Sequence, residues 1–297
     1  ITQTLLEQAR TRDNIEICEY MTMVDLIADD NICGGVVIMD EQNEVYLVHA
    51  SNVVLACGGL GGLYKNSTNF PHIAGDGLGI AMKHQIVLEH LDYVQIHPTT
   101  LYSQKKGRRF LISESVRGEG ARLYNKNMNR FVNELLPRDL LSQKIHEQMA
   151  KDDTDFVWED LRTIPAETLR HHFPNIVEHC REMGYDVFKE CIPVVPAQHY
   201  FMGGVKVDHQ SRSSMENLYV VGEAACNGVH GKNRLASNSL LESLVFAQRA
   251  ADDILYGEPP VFTGDKPDLA PYREQEPLFA AYRQEVLTAI ERSKNHE

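Results

Sequence analysis

Two short and almost wholly apolar runs, each ending in glycine, constrain the fold of this chain more than any other feature. Residues 52–57 (NVVLAC) stop at a Gly-Gly pair, and residues 217–221 (NLYVV) stop at a Gly-Glu pair. Strands buried on both faces of a parallel sheet have this composition, and glycine lets the chain turn sharply where such a strand ends. Because the two runs lie far apart, the sequence predicts an α/β fold in which the sheet is interrupted and later resumes.

Local patterns near the first run indicate further strands. Residues 15–27 show alternating apolar positions typical of strands. Residues 34–39 and 45–48 are two apolar segments on either side of the polar sequence at 40–43, which favours an antiparallel hairpin.

Helix signals appear in two later places. Residues 239–256 carry an apolar stripe, and Ser239 with Glu242 forms a capping box that predicts the helix start. A second helix is predicted to begin at Arg138, directly after a proline. The apolar positions that support the two helices are Leu240, Leu241, Leu244, Val245, Ala251 and Ile254 for the first, and Leu141, Ile145 and Met149 for the second.

Changes in residue pattern along the chain predict how it divides into domains. Residues 89–201 are rich in helix signals, aromatic residues and polar loops, without a strand as apolar as the two described, so we expect an inserted α+β lobe there. The sheet then occupies residues 1–88 and 202–257. Residues 258–297 begin with a Pro-Pro linker and end in a charged helix with an apolar face, the expected start of a C-terminal helical unit.

Composition excludes several functional classes. The 297 residues carry a formal net charge of −13, which disfavours binding to nucleic acid or to an anionic membrane. An uninterrupted apolar run of about 18 residues, the length that a membrane span needs, does not occur. The six cysteines form no C-x-x-C pair, which indicates free thiols in a reducing compartment. We therefore expect a cytoplasmic enzyme without a membrane span.

Glycines at the strand ends favour a dinucleotide crevice. Gly58 and Gly59 follow the first run, Glu223 follows the second within a Gly-Glu pair, and Asp76 lies in a Gly-Asp-Gly sequence. Backbone can approach a cofactor closely at such points, although a single glycine pair is more often a plain turn. The G-x-G-x-x-G fingerprint of nucleotide binding is absent from this sequence.

Polar groups that suit carboxylate binding are concentrated in and just after the lobe. Arginine binds carboxylates bidentately, and imidazole and hydroxyl groups can orient the carbon skeleton between them. Each group also has a structural interpretation: His97 as a hydrogen-bonded core residue, and Arg117, Glu119 and Arg122 as an ion network. The sequence contains no H-x-x-x-H motif or carboxylate cluster that indicates a metal site.

The chain resembles the flavoprotein family of succinate dehydrogenase, fumarate reductase and aspartate oxidase from about residue 2 to residue 257. The motifs that carry the resemblance, in family order, are VVLACGG, AGDG, IHPTTLY, SESVRGEG, LPRD, PAQHYFMGGV, LYVVGEAA and NRLASNSLLE. Within the family, HGKNRLASNSLLE is similar to the aspartate oxidases, whereas the respiratory enzymes typically read GGNSLLD in place of ASNSLLE. The resemblance implies a Rossmann-like FAD-binding sheet interrupted by a fumarate-reductase-type capping domain.

The resemblance also implies roles for individual residues. Arg138 matches the arginine assigned as proton donor or acceptor, and Ser113 stands where relatives usually carry threonine. The positions that match the family's substrate cage are His97, Ser113, Glu114, Arg138, His199 and Arg234. Those that match its FAD contacts are Asp76, Glu223, Ser239 and Leu240, with Gly58 and Gly59 lining the approach.

The family's phosphate-binding segment has no counterpart in this chain, so the resemblance implies a fragment that lacks the N-terminal nucleotide-binding part. We accordingly expect FAD to be bound non-covalently in the parent protein, and weakly or not at all by the fragment, with little activity.

The implied reaction is oxidation of L-aspartate to iminoaspartate by hydride transfer to FAD, with oxygen or fumarate as acceptor, in the biosynthesis of NAD. Quinolinate synthase is the implied next enzyme. Two alternatives stay open: a fumarate reductase or succinate dehydrogenase flavoprotein subunit, and a non-catalytic flavin-fold remnant that binds a partner.

Overall fold

The two apolar runs form a parallel strand pair in the computed structural model, which describes residues 1–294. β4 (Val53–Leu55) lies beside β11 (Leu218–Val220), with Tyr219 opposite Val54. The prediction that the sheet is interrupted and later resumes is confirmed, and the two strands are direct neighbours in it. The expectation of burial on both faces is wrong for β4, because Val54 is 44% exposed.

The predicted hairpin is confirmed as part of a three-stranded antiparallel sheet. Its strands are β1 (Thr22–Asp29), β2 (Ile32–Met39) and β3 (Val45–His49). The Asp40 carboxylate accepts the backbone N–H groups of Gln42 and Glu44, both at 2.9 Å, and so stabilises the turn between β2 and β3. The predicted strand before Thr22 is wrong, since Ile15 and Ile17 are exposed and lie outside any strand.

Short elements complete the sheet-bearing part of the chain. Strand β10 pairs in parallel with β12 and antiparallel with β5 to make a second small sheet. The bounds are α1 (Thr2–Arg10), α2 (Asp76–Lys83), β5 (Leu88–Glu89), β10 (Gly204–Lys206) and β12 (Ala225–Cys226).

The inserted lobe is built on a four-stranded antiparallel sheet in the order β6-β9-β8-β7. The expectation that it contains no comparable buried strand is wrong, because β9 spans ten residues and is mostly buried. The elements are β6 (Val94–Leu101), α3 (Glu114–Gly118), β7 (Arg122–Tyr124), α4 (Arg138–Asp152), β8 (Val157–Asp160), α5 (Ala166–His172), α6 (Pro174–Glu182) and β9 (Ile192–Phe201).

Prolines explain why these strands were missed. Proline lacks a backbone N–H and argues against a central strand unless it lies at a bulge or edge. Here the register of β6 and β9 shifts between His97 and Thr100, and Pro98 and Pro196 lie within that shift. The sheet therefore tolerates residues that a sequence pattern counts as strand breakers.

In the lobe, Arg122 and Arg117 contact Glu134 instead of Glu119, the acid predicted for their ion network. Arg122 lies 3.8 Å from the buried Glu134, and Arg117 donates from Nε to the Glu134 carbonyl oxygen at 3.3 Å. Glu119 instead pairs with His172 at 3.4 Å. The inclusion of Glu119 is therefore wrong, because its side chain points to the outside of the lobe.

The long helix after the second run is α7 (Asn238–Tyr256), but its predicted capping box is wrong. Ser237 occupies the N-cap position with a φ of +68° and makes no side-chain cap bond. The Ser239 hydroxyl accepts a hydrogen bond from Arg234, and the Glu242 carboxylate accepts one from Asn227. Both side chains are thus engaged in tertiary contacts instead of closing the helix end.

The predicted apolar stripe of α7 is only partly buried. Of the predicted residues, Ile254 packs against the sheet and Ala251 is exposed. Phe246 and Ala250, which lie outside the predicted stripe, are the buried apolar residues of the helix. The four apolar residues of the first turns are each at least 38% exposed: Leu240, Leu241, Leu244 and Val245.

Two large hydrophobic cores result, besides the small cluster of α7 on β11. One joins the strands before β5 to β10, β11 and α2, and the other lies wholly within the lobe. The charged helix predicted near the end is α8 (Gln275–Lys294), and it buries Phe279, Tyr282, Val286 and Ile290 in the first core. Across residues 1–294, no helix combines the length and the apolar character needed to cross a membrane.

A buried carboxylate ties the C-terminal segment to the first core. Asp25 of β1 accepts hydrogen bonds from His84 at 2.6 Å, from Tyr272 at 2.5 Å and from Lys83. Burial by itself raises the pKa of Asp25, but these three bonds outweigh it and lower the pKa to about 2. The charged form is therefore the stabilising one.

Replacing Asp25 with asparagine is expected to lower the free energy of unfolding by about 2 kcal/mol at pH 7, the equivalent of the pKa shift. Because the folded pKa lies below the unfolded one, this contribution is present above about pH 4 and is lost as the pH falls towards 2. Urea unfolding at pH 7 and pH 3 measures the difference. Asp29→Asn, an exposed position on the same strand, is the control, and equal midpoints for the two variants at pH 7 would contradict the expectation.

Candidate active site

The six residues predicted to form a substrate cage line one cavity. It has a volume of 570 Å³ and lies between the lobe and the loop that precedes α7. The chain positions that it unites are His97, Ser113, Glu114, Arg138, His199 and Arg234. Strand pairing and helix starts thus bring together side chains from five separate stretches of sequence.

Two histidines on neighbouring strands form one wall. The rings of His97 on β6 and His199 on β9 are 5.4 Å apart and meet edge to face. In the tautomer with the ring proton on Nε2, Nδ1 of His97 accepts the backbone N–H of Thr99 at 3.2 Å and Nδ1 of His199 accepts the Thr68 hydroxyl hydrogen at 2.8 Å. Within the described part of the chain neither Nε2 atom has a hydrogen-bond partner, so both are available to a ligand.

Both imidazoles are neutral at physiological pH. Burial lowers the pKa of His97 well below its ordinary value, and the nearby charge of Arg117 lowers it further. Burial followed by the charge of Arg234 lowers the pKa of His199 to about 4. A neutral imidazole carries one N–H donor, so each ring can donate to a carboxylate without adding positive charge.

Arg138 begins α4 and is held from two sides. Its Nε and Nη2 donate to one carboxylate oxygen of Glu114, at 2.8 and 2.6 Å, and its Nη1 donates to Gln95 at 3.0 Å. The Arg138 side chain is 11% exposed and that of Glu114 is 51% exposed. This pair therefore connects the buried cavity to solvent.

Gln95 is a site residue that the sequence reasoning missed. It is buried on β6, where its side-chain oxygen accepts from Arg138 and its amide donates to the carbonyl oxygen of Arg234 at 2.8 Å. It thereby fixes the spacing of two cage arginines. Its position two residues before His97 is the available signal, because alternate residues of a strand share a face.

Arg234 lies just before α7 and is 6% exposed. Its Nη1 donates to Ser239 at 3.1 Å, and its guanidinium stacks on the Tyr200 ring at 4.4 Å. Its Nε is buried without a partner among the described residues. A buried donor without an acceptor destabilises the folded state. A ligand that brings an acceptor to this atom, such as a carboxylate, would therefore bind favourably.

Ser113 has a structural role at the cavity edge as well. It is the N-cap of α3, and its hydroxyl oxygen accepts the backbone N–H of Ser115 at 3.3 Å. The hydroxyl hydrogen remains able to donate into the cavity.

The cavity has the charge of a dianion-binding site. Three guanidinium groups line it, and of the two carboxylates in its wall one, Glu134, is paired at 2.7 Å with Arg130. Three positive charges less the one of Glu114 leave two positive charges, which matches a dicarboxylate. In the part of the chain that is described, no cluster of three or more His, Cys, Asp or Glu is placed to hold a metal ion.

A family profile described as FAD binding domain matches residues 1–240, which is most of the 297 residues. The chain belongs to the FAD binding domain family. This agrees with the parallel strands, the glycine-rich strand ends and the capping lobe described above.

Two curated relatives in this family are L-aspartate oxidases. That of Clostridium perfringens is 51% identical over 255 residues, covering 86% of this chain and 58% of the relative. That of Neisseria meningitidis is 41% identical over 267 residues, covering 87% of this chain and 53% of the relative. The chain thus spans a little more than half the length of these relatives.

Among solved structures, a quinol fumarate reductase of E. coli superposes with a TM-score of 0.75 at 30% identity, covering 97% of this chain and 51% of that one. The expected fold, an FAD-binding α/β sheet with a fumarate-reductase-type capping lobe, is confirmed by this likeness.

Two of the residues predicted to contact FAD, Gly59 and Glu223, lie close to each other. A Cβ on Gly59 would lie 2.6 Å from the Glu223 carboxylate, so a larger residue there would displace the Glu223 side chain, and Gly58 has a φ of +78°. Burial raises the pKa of Glu223 to about 7, against the opposing effect of the backbone N–H of Phe201. The carboxyl thus keeps its proton to a higher pH than an ordinary glutamate does.

The other predicted FAD contacts lie at two helix starts. Asp76 opens α2, and its buried Oδ1 accepts no hydrogen bond from the described residues, although Arg283 Nε lies 3.8 Å away. Burial raises the pKa of Asp76 against the charge of Arg283. Ser239 and Leu240 lie in the first turn of α7, where Leu240 is 55% exposed. A buried carboxylate oxygen without a hydrogen-bond donor, as in Asp76, suits a hydroxyl group of a dinucleotide, and helix N-termini suit its anionic parts. The side chains present therefore fit FAD.

Proposed function

We propose that this chain carries the substrate site of an L-aspartate oxidase, which converts L-aspartate to iminoaspartate. The observation that carries the proposal is the cavity of two positive charges in which Arg234 keeps a buried, unpaired Nε donor. FAD, when bound, supplies the hydride acceptor. Two relatives of the stated identity bear the name L-aspartate oxidase, which favours an amino acid over succinate.

In this proposal the chain's own residues bind and orient the substrate. Arg234 takes one carboxylate through Nε, while His97 and His199 donate from their Nε2 atoms. Arg138 Nη2 lies 2.6 Å from Glu114 Oε2, so as the guanidinium takes a proton from the substrate it can pass one to this oxygen and stay a cation, and the exposed carboxyl then releases that proton to solvent. Gln95 positions Arg138 for this task.

FAD is held in the proposal by Asp76, Glu223 and the first turn of α7, with Gly58 and Gly59 at the approach. Oxygen or fumarate is the proposed final acceptor. We further propose a cytoplasmic location, supported by six free cysteines, and quinolinate synthase as the enzyme that consumes the product.

The division into residues 1–88, 89–201, 202–257 and 258–297 is likewise proposed, with the separate core of the lobe as its support.

The test uses the whole gene product that carries this chain, loaded with FAD. We expect L-aspartate to bleach the flavin absorbance under anaerobic conditions and succinate to leave it unchanged. Bleaching by succinate alone would replace the proposal with its alternative, a fumarate reductase or succinate dehydrogenase subunit. Bleaching by neither would favour the remnant that only binds a partner.

A further inference from the structure

Four basic residues lie within five positions on the loop between β6 and α3. We call residues 105–109 the basic loop, and its cations are Lys105, Lys106, Arg108 and Arg109. All but Arg109 are exposed. The formal net charge of the chain is −13, so this cluster is opposite in sign to the molecule that carries it.

The basic loop is fixed in place by its buried member. Arg109 donates from its backbone N–H to Ser67 at 2.7 Å, from Nε to Asn66 at 2.9 Å and from Nη1 to the Lys105 carbonyl oxygen at 2.9 Å. The last bond closes the loop on itself. The three exposed cations therefore lie on a loop whose backbone is held in one conformation.

Contacts place this loop beside the cavity. Arg108 donates from Nε to the Thr68 carbonyl oxygen at 2.7 Å, and the Thr68 hydroxyl lies 2.8 Å from the cage residue His199. Arg108 also stacks on the Phe70 ring at 4.9 Å. Leu111, two residues after the loop, lines the cavity itself. Thr68 therefore connects Arg108 of the basic loop to His199 in the cavity wall.

We propose that the basic loop is an electrostatic guide that attracts anionic dicarboxylates to the cavity. The identity of the substrate rests on the proposed function, whereas the attraction depends only on its charge. Fields of exposed charges are screened beyond about 8 Å at physiological ionic strength, so a local cluster at the site outweighs the distant acidic surface. Such steering raises association rates by about 10- to 1,000-fold in favourable cases and weakens with salt.

The test compares two double variants of the whole gene product with equal loss of charge. Lys105→Gln with Lys106→Gln removes two cations from the loop, and Lys151→Gln with Lys266→Gln removes two exposed cations elsewhere. The probe is malonate, a dicarboxylate that cannot be dehydrogenated, and its association rate is followed by fluorescence at low and at 0.5 M salt, about where the screening length drops to a few ångströms. Turnover of L-aspartate is measured in parallel.

We expect the loop variant to bind malonate about 3- to 10-fold more slowly at low salt and at the wild-type rate in high salt, with an unchanged kcat. The control variant is expected to match wild type throughout. Equal malonate association rates for the two variants at low salt would contradict the proposal. A slower association rate of the loop variant that persists in high salt would also contradict it. If malonate association shows the expected salt dependence but L-aspartate is not turned over, the steering proposal holds and L-aspartate is excluded as the substrate.

Discussion

Replacing Arg138 with alanine is expected to lower kcat for L-aspartate by about 10²- to 10⁴-fold, the range typical of a lost proton-transfer group. The physical reason is its fixed geometry, in which Glu114 and Gln95 hold the guanidinium at the cavity wall. Arg138→Lys retains the charge but cannot make both contacts, so we expect it to recover little of the rate. Steady-state kinetics with the whole gene product gives kcat and KM separately.

The matched control for this prediction is Arg181→Ala. Arg181 pairs with Glu178 on the surface of α6 and is 72% exposed, so its loss is expected to leave kcat unchanged. Retention of wild-type kcat by the Arg138→Ala enzyme would remove Arg138 from the proton transfer and leave it a binding residue at most.

Replacing Glu159 with glutamine is expected to stabilise the protein at alkaline pH. Glu159 of β8 is fully buried, and both of its carboxylate oxygens lack a hydrogen-bond partner among residues 1–294. Burial, opposed by Arg117 and reinforced by Glu134, raises its pKa to about 7. A buried charge without hydrogen bonds is among the costliest features that a folded core can contain.

The pH dependence of this effect has a definite sign. Between pH 4.5 and 7 the folded state keeps the proton that the unfolded chain releases, so wild-type stability falls as the pH rises through this window. Glutamine cannot ionise and is free of that loss. The stability of Glu159→Gln relative to wild type should therefore increase by about 3 kcal/mol between pH 4 and pH 8.

Urea unfolding at several pH values measures this difference. The control is Glu182→Gln, a change of an exposed glutamate in the same lobe, whose effect on stability is expected to be small. A relative stability of Glu159→Gln that stays constant from pH 4 to pH 8 would show that Glu159 does not ionise late in the folded state.

Sequence patterns predicted the elements whose signals are local. The parallel pair β4 and β11, the hairpin of β2 and β3, and the start of α4 at Arg138 follow from apolar runs, turn residues and a preceding proline. Errors occurred where a tertiary contact overrides a local rule. Pro98 and Pro196 lie in a sheet at a register shift, and Ser239 contacts Arg234 instead of capping its helix.

What the sequence by itself determined is therefore the class of fold and the acidic character of the chain, and its family motifs predicted which residues form the substrate cage. Only the tertiary structure decided that these six residues share one cavity, that burial keeps His97 and His199 neutral, and that Gln95 links Arg138 to Arg234. The reason is physical: strand register, burial and charge proximity depend on which distant segments pack together, and local residue patterns carry no record of those distances.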